Sequence, residues 1–166
     1  MERLRFYEVD LDYMEYIQKV EKKIMDSINS KSNRKFIGIV LKIDNLDYII
    51  PLTSPKEKHK KMKNNIDFLK IDNGLLGAIN FNNMFPVPKE LHFEKDINLE
   101  MDIKYKNLLI NQISWCNVSS NKEKIYRTAE RLYKEITSKR EKSHFWSRCC
   151  DFILLEKIAK EYKKTN

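Results

Sequence analysis

The stretch Phe36-Ile37-Gly38-Ile39-Val40-Leu41-Lys42-Ile43-Asp44-Asn45-Leu46-Asp47-Tyr48-Ile49-Ile50-Pro51-Leu52-Thr53-Ser54-Pro55-Lys56-Glu57 decides the fold. Phe36 to Leu41 is the apolar, β-branched run of a buried strand. Asp44-Asn45 supplies a turn, and Leu46 to Pro51 returns as the partner strand. The stretch therefore predicts a β-hairpin. The apolar run stops at two hydroxyls, Thr53 and Ser54, and a basic segment begins. Ser54-Pro55-Lys56-Glu57 fits a capping box with proline in the first turn, so a helix or helical turn is expected directly after the strand. A helix start points free N–H groups and positive dipole outward. Two hydroxyls and Lys56 at that place make a seat for a phosphate. A cap and a phosphate seat occupy the same position, so both readings of Ser54 can hold.

Toward the N-terminus, Leu4 to Val9 reads as a short strand. Asp12-Tyr13-Met14-Glu15 offers a helix start, with Tyr13, Tyr16, Ile17, Val20 and Ile24 at helical spacing over about four turns. Ser27 to Lys35 reads as a polar, basic loop. Toward the C-terminus, Lys56 to Asn65 is expected as a short basic helix or a loop. Ile66 to Ile71, the turn Asp72-Asn73-Gly74 and Leu76 to Asn80 predict a second hairpin. Phe85-Pro86-Val87-Pro88 reads as an edge segment, because proline cannot donate to a central ladder.

Beyond it the periodicity becomes helical. Tyr105, Leu108, Leu109, Gln112, Ile113 and Cys116 form one stripe. A second capping box, Ser120-Asn121-Lys122-Glu123, precedes Ile125, Ala129, Leu132, Tyr133 and Ile136. Asp151 caps a last helix marked by Phe152, Leu155, Ala159 and Tyr162. Strands in the first half and helices in the second predict an α+β domain: a small, curved antiparallel sheet or barrel with helices packed against it. The chain is read as a single domain, 1–166, with the barrel mainly in 1–100 and the helical part in 101–166.

The bulk numbers bound the function. The 166 residues carry 32 Lys+Arg against 24 Asp+Glu, a formal net charge of +8, which favours polyanionic partners. No apolar run is long enough to span a bilayer, and the N-terminus lacks the apolar stretch of a signal peptide. Three cysteines, two of them adjacent at Cys149-Cys150, argue against a disulfide framework and against zinc-ligand spacing. The expected location is the reducing cytoplasm. Trp115 and Phe145-Trp146 suit either base stacking or the core. His59 reads as an acid–base candidate or a surface histidine among lysines, and His92 and His144 show no partner signal.

The blocks Arg34-Lys35-Phe36-Ile37-Gly38-Ile39-Val40-Leu41, Pro51-Leu52-Thr53-Ser54-Pro55-Lys56, Leu76-Gly77-Ala78-Ile79-Asn80 and Phe152-Ile153-Leu154-Leu155-Glu156 resemble the ToxN/AbiQ family of type III toxin–antitoxin toxins, CptN and TenpN relatives included. The likeness runs from Arg5-Phe6-Tyr7 to Tyr162, and the Leu-Thr-Ser-Pro-Lys block is its specific part. The resemblance implies a sequence-preferring endoribonuclease with a small barrel core similar to the MazF/Kid toxins, SH3-like, plus extra helices. It implies no metal and no cofactor. It implies an RNA antitoxin, a repeated pseudoknot whose precursor the toxin also cuts, with no protein antitoxin. A closed assembly of alternating protein and RNA and a role in abortive infection or plasmid maintenance come with it.

Carried over by the same resemblance, the catalytic positions are Thr53, Ser54, Lys56 and Arg34, where a lysine is expected in place of the arginine. Lys35 is adjacent to Arg34, and a tyrosine of some relatives is missing near Ser30. Arg5 occupies an N-terminal basic position. The basic segment Lys56, Lys58, Lys60, Lys61 and Lys63, with His59, is read as a groove tracking the RNA backbone, together with Lys31 and Lys35. Metal-free RNA cleavage uses the 2′-hydroxyl as nucleophile, and fixed positive charge aimed at the phosphorane-like transition state is the largest contribution expected of the protein. Arginine at position 34 would be a clamp rather than an acid. Two other readings fit the basic balance: a non-catalytic RNA-binding module, or a MazF-like RNase with a protein antitoxin.

Overall fold

A computed structural model describes residues 1–24, 28–29, 34–35 and 37–163; for Ile28, Asn29, Arg34, Lys35 and Ile37 it describes the backbone alone. The chain opens with β1 (Phe6–Val9) and α1 (Leu11–Val20). Asp10 caps α1 by accepting from the Tyr13 N–H at 3.1 Å, and the helix stops at Val20, short of Ile24. Within the segment read as a loop, β2 (Ile28–Asn29) pairs antiparallel with β3 (Arg34–Lys35).

The decisive hairpin forms as expected. It consists of β4 (Ile37–Ile43) and β5 (Leu46–Thr53), in register from Gly38↔Pro51 to Ile43↔Leu46. Asp44 and Asn45 both have positive φ, 48° and 63°, the backbone that a tight two-residue hairpin turn demands and that Asp and Asn tolerate. Tyr48, Ile49 and Ile50 are all fully buried, so β5 is covered on both faces.

After β5 come α2 (Glu57–Lys61), β6 (Phe68–Lys70), β7 (Ala78–Asn80), β8 (Phe85–Pro86) and β9 (His92–Glu94). The main sheet is antiparallel in every pairing, in the order β6-β7-β5-β4-β1-β9, with β8 also on β5. Among the described residues β6 and β9 do not pair, so the sheet is open and not the closed barrel expected. The long strand β5 pairs β8 through Tyr48 and Ile49, then β7 through Leu52 and Thr53, and so joins two halves of the sheet.

The helical half consists of α3 (Ile103–Cys116), α4 (Ser119–Lys139) and α5 (Phe152–Glu161). Ile125, Ala129, Leu132 and Ile136 of α4 are fully buried at the expected spacing. Helix α4 lies against β4 and α5 against β8. Asp151 caps α5 through the Leu154 N–H at 3.2 Å, as expected. The cap expected at Ser120 does not form. Helix α4 starts at Ser119 behind Val118, because only two residues separate it from α3. Asn117 fills that corner, exchanging hydrogen bonds with both Leu4 backbone groups at 2.8 and 2.9 Å. No helix among the described residues is long and apolar enough to cross a membrane.

Candidate functional site

The end of β5 and the start of α2 border an open cleft of about 650 Å³. Thr53, Lys56, Lys58, His59 and Lys63 line it from this segment. Asp67, Phe68 and Asn80 line it from the second hairpin, Asn82 and Asn83 from the turn after β7, and Arg148 from the turn before α5.

The local geometry departs from the capping box read in the sequence. The cap residue of α2 is Lys56, in an extended conformation, and the helix begins at Glu57. Ser54 therefore sits two residues ahead of the cap; it is exposed and does not line the cleft. The position three after the cap holds His59, whose Nδ1 accepts from the Lys56 N–H at 3.2 Å, the task that Glu or Gln performs in a capping box. This ring is 2% exposed and leans on Phe68, with centroids 5.8 Å apart, so His59 is not the surface histidine that its lysine neighbours suggested. The lone pair is taken by Lys56, so the neutral imidazole carries its proton on Nε2. Burial first, then the Lys56 and Lys58 ammonium groups, lower its pKa and keep it neutral.

Two glycines of the second hairpin make this packing possible. Gly77 has φ of +98°, and a Cβ there would stand 1.9 Å from the Thr53 carbonyl oxygen. Gly74, φ +91°, backs onto the His59 backbone, where a Cβ would stand 3.0 Å from its carbonyl carbon. Gln112 of α3 completes the mount. Its Nε2 donates to Thr53 O at 3.2 Å and to Leu76 O at 2.8 Å from a buried position. The second hairpin and α3 thus hold the Thr53 backbone. Its Oγ1 is buried and has no partner among the described residues. An unpaired buried hydroxyl at a cleft wall is a donor lacking an acceptor.

Lys56 is exposed at this cleft, as are Lys58 and Lys63. Lys60 pairs with Glu57 at 3.0 Å, and neither it nor Lys61 lines the cleft. Arg5 lies elsewhere. It pairs with Glu94 at 2.7 Å in a second groove with Arg3, Lys95 and Asn98. The side chains of Arg34 and Lys35, and all of Lys31, lie outside the described residues.

Several cleft residues gave no signal in the sequence. Asp67 and Arg148, 81 positions apart, form an ion pair at 2.5 Å. Asn82 donates to Arg148 O at 3.1 Å and accepts from Cys150 N at 2.9 Å. The adjacent Asn82-Asn83 pair is the one polar signal the sequence carries for this wall. His92, which looked partnerless, meets Asp47 at 3.0 Å. The cysteines are buried and free, and burial pushes the Cys149 and Cys116 thiols up to about 12. Such thiols are neither nucleophiles nor ready metal ligands. Among the described residues no three His, Cys, Asp or Glu side chains gather into a group able to hold a metal. Trp115 and Trp146 are half-buried against the core and Phe145 is buried.

The chemistry available is electrostatic. Four cationic side chains and a spare hydroxyl surround an opening with one carboxylate, itself tied to Arg148. That arrangement suits a phosphodiester.

Comparison with known proteins agrees. A family model described as the ToxN toxin of type III toxin–antitoxin systems matches residues 5–160. An endoribonuclease AbiQ of Lactococcus lactis subsp. lactis is 32% identical over 97% of this chain and 90% of its own length. An endoribonuclease ToxN of Bacillus thuringiensis subsp. kurstaki is 28% identical over 96% of this chain and 84% of its own. A solved type III toxin, selectively inhibited by a non-coding RNA pseudoknot, is 27% identical with a TM-score of 0.81 over 99% of this chain and 100% of that one.

Proposed function

The chain belongs to the ToxN family of type III toxin–antitoxin toxins and is an endoribonuclease of that kind; we propose that it cuts RNA without a metal, at preferred sequences, in the cleft around Thr53, Lys56 and His59. One observation carries the site: the motif residues Thr53 and Lys56 meet in a cationic cleft whose backbone is locked by His59, Gln112 and Gly77.

The substrate's 2′-hydroxyl loses its proton and attacks the adjacent phosphorus. The P–O5′ bond breaks, and the 5′-oxygen takes up a proton. The products are a 2′,3′-cyclic phosphate and a 5′-hydroxyl end. The Lys56 ammonium stands against the growing negative charge on the non-bridging oxygens, and the Thr53 hydroxyl donates to the same phosphate. Preorganised donors of this type are worth about 10²–10³ in rate each. Ser54 acts through its exposed hydroxyl on the RNA strand beside the cleft. Arg34 and Lys35 supply a further cation from the strand preceding β4. His59 does not act as a base, since its lone pair holds Lys56; it sets where Lys56 stands. Lys58 and Lys63 follow the RNA backbone. Arg5, Lys60 and Lys61 serve RNA contacts outside the cleft, and Lys31 is a further RNA-binding position.

The partner is an RNA antitoxin, a repeated pseudoknot processed from its precursor by the toxin and assembled with it in a closed alternating complex. The relatives support this: one is inhibited by a non-coding RNA pseudoknot, another belongs to an antiviral system regulated by a processed non-coding RNA, and a third is an anti-phage endoribonuclease. The bridging of two sheet halves by β5 supports reading the fold as an opened form of the small MazF/Kid-type barrel.

The test is to incubate pure protein with total RNA and a chelator, then map the new ends. Discrete cuts with 5′-hydroxyl and cyclic phosphate ends are expected. No cuts, or cuts only when a divalent metal is added, would overturn the proposal.

A further inference from the structure

We propose that Arg148 is an RNA-binding residue of this cleft, taking a backbone phosphate of the bound strand. The inference rests on the reading of the cleft as the RNA-cleaving site.

Arg148 stands in the turn Trp146–Arg148, far in sequence from the Thr53 motif, yet lines the same opening. Its guanidinium is held from two directions. Nε donates to Asp67 Oδ2 at 2.5 Å, and Cζ lies 4.9 Å from the centroid of the Phe145 ring. The Asp67 side chain is 8% exposed, and its backbone carbonyl accepts from Phe81 N at 3.1 Å, so the seat is rigid. The turn is pinned as well, by Asn82 on the Arg148 carbonyl and on the Cys150 N–H.

What remains free is the outer edge. Among the described residues neither Nη group of Arg148 makes a hydrogen bond, and the side chain is 53% exposed. A guanidinium whose Nε is spent and whose Nη pair is open is a preorganised fork. It matches two oxygens of a phosphate, and little rotamer freedom is left to lose. Neutralising Asp67 alone would need only Nε. The opening carries Lys56, Lys58, Lys63 and Arg148 against that one carboxylate, so an anion is the ligand its charge fits.

The test compares wild type with Arg148→Gln, which can still donate to Asp67, and with Arg148→Lys. The probe is a 2′-O-methyl RNA oligonucleotide, which lacks the attacking hydroxyl. Binding is measured by anisotropy across a series of salt concentrations. Arg148→Gln should weaken binding and make the slope of log K against log salt shallower by about 0.7, one single-strand phosphate contact. Arg148→Lys should keep the slope and lose part of the affinity. On cleavable RNA, Arg148→Gln should raise KM with the cut positions unchanged. A wild-type slope and affinity in Arg148→Gln, with only the melting temperature altered, would make Arg148 a structural partner of Asp67 and overturn the inference. Altered cut positions with an unchanged slope would make it a base reader and overturn it too. Either result leaves the proposed function standing if wild type still cuts RNA; a wild type that fails to cut sinks the earlier reading instead.

Discussion

Replacing His59 tests how the cleft is built. His59→Ala removes a ring that is 2% exposed, together with the acceptor of the Lys56 N–H. The lost hydrogen bond and the stranded amide cost about 1–3 kcal/mol. Lost ring packing against Phe68 adds roughly 0.5–1.5 kcal/mol. The sum, about 1.5–4.5 kcal/mol, lowers the melting temperature by roughly 3–18 °C in a chain of this length. Lys56 loses its anchor in the same step, and a displacement of about 1 Å at a reacting centre costs on the order of 10²-fold in rate. His59→Gln offers a sharper comparison. Glutamine is a normal occupant of this capping position and reaches back to the same N–H. It should recover most of the melting temperature and of the rate. The assay is thermal melting beside single-turnover cleavage of a short RNA. A His59→Ala protein with wild-type melting and rate would refute the positioning role. So would a His59→Gln protein that folds like wild type yet is as slow as His59→Ala, since the imidazole would then be needed for its proton chemistry.

Other expectations follow from the same contacts. His59 has a lowered pKa in the fold, so the unfolded chain takes its proton at higher pH than the folded one. Its contribution to stability is complete above its ordinary value of 6.5 and is lost as pH falls through the folded value. Melting temperature should therefore drop as pH falls below about 6.5, with less drop in His59→Gln; equal pH profiles would count against it. Gly77→Ala places a Cβ 1.9 Å from Thr53 O at a φ of +98°. It should cost more than about 2 kcal/mol by denaturant titration and slow cleavage, and an unchanged midpoint would contradict the close approach. Gln112→Ala strips the side-chain donor from Thr53 O and Leu76 O and should destabilise by about 1–3 kcal/mol, read in the same titration.

Local chemistry was what the sequence made legible. The β4–β5 hairpin shows in the apolar residues Ile39, Leu41, Ile43, Tyr48, Ile49 and Ile50, all buried, and in Asp44-Asn45, both with the positive φ that such a turn uses. The helical stripe on α4 and the Asp151 cap read equally well, because each depends on residues within one or two turns. The true cap lies two positions past Ser54: Lys56 is extended and precedes the helix, and a histidine at the reciprocal position mimics the usual Glu or Gln. What stayed hidden is non-local. Sheet closure depends on whether β6 meets β9, which no local pattern encodes. His59 is buried only because Phe68 and Gly74 fold over it. Asp47 meets His92 across 45 positions, and Arg148 meets Asp67 across 81. The motif found one wall of the cleft; the second hairpin, the turn after β7 and Arg148 from the helical half supplied the rest.

The central claim is that the Lys56 ammonium stabilises the transition state of RNA cleavage in this cleft. Single-turnover cleavage of one RNA by wild type and by Lys56→Ala, both shown folded by their melting curves, addresses it most directly. Lys56 is exposed, and its side chain makes no hydrogen bond or ion pair among the described residues, so its removal should leave the fold intact. Lys56→Ala should lose about 10²–10³-fold in the cleavage rate. A folded Lys56→Ala protein that cuts at the wild-type rate would contradict it.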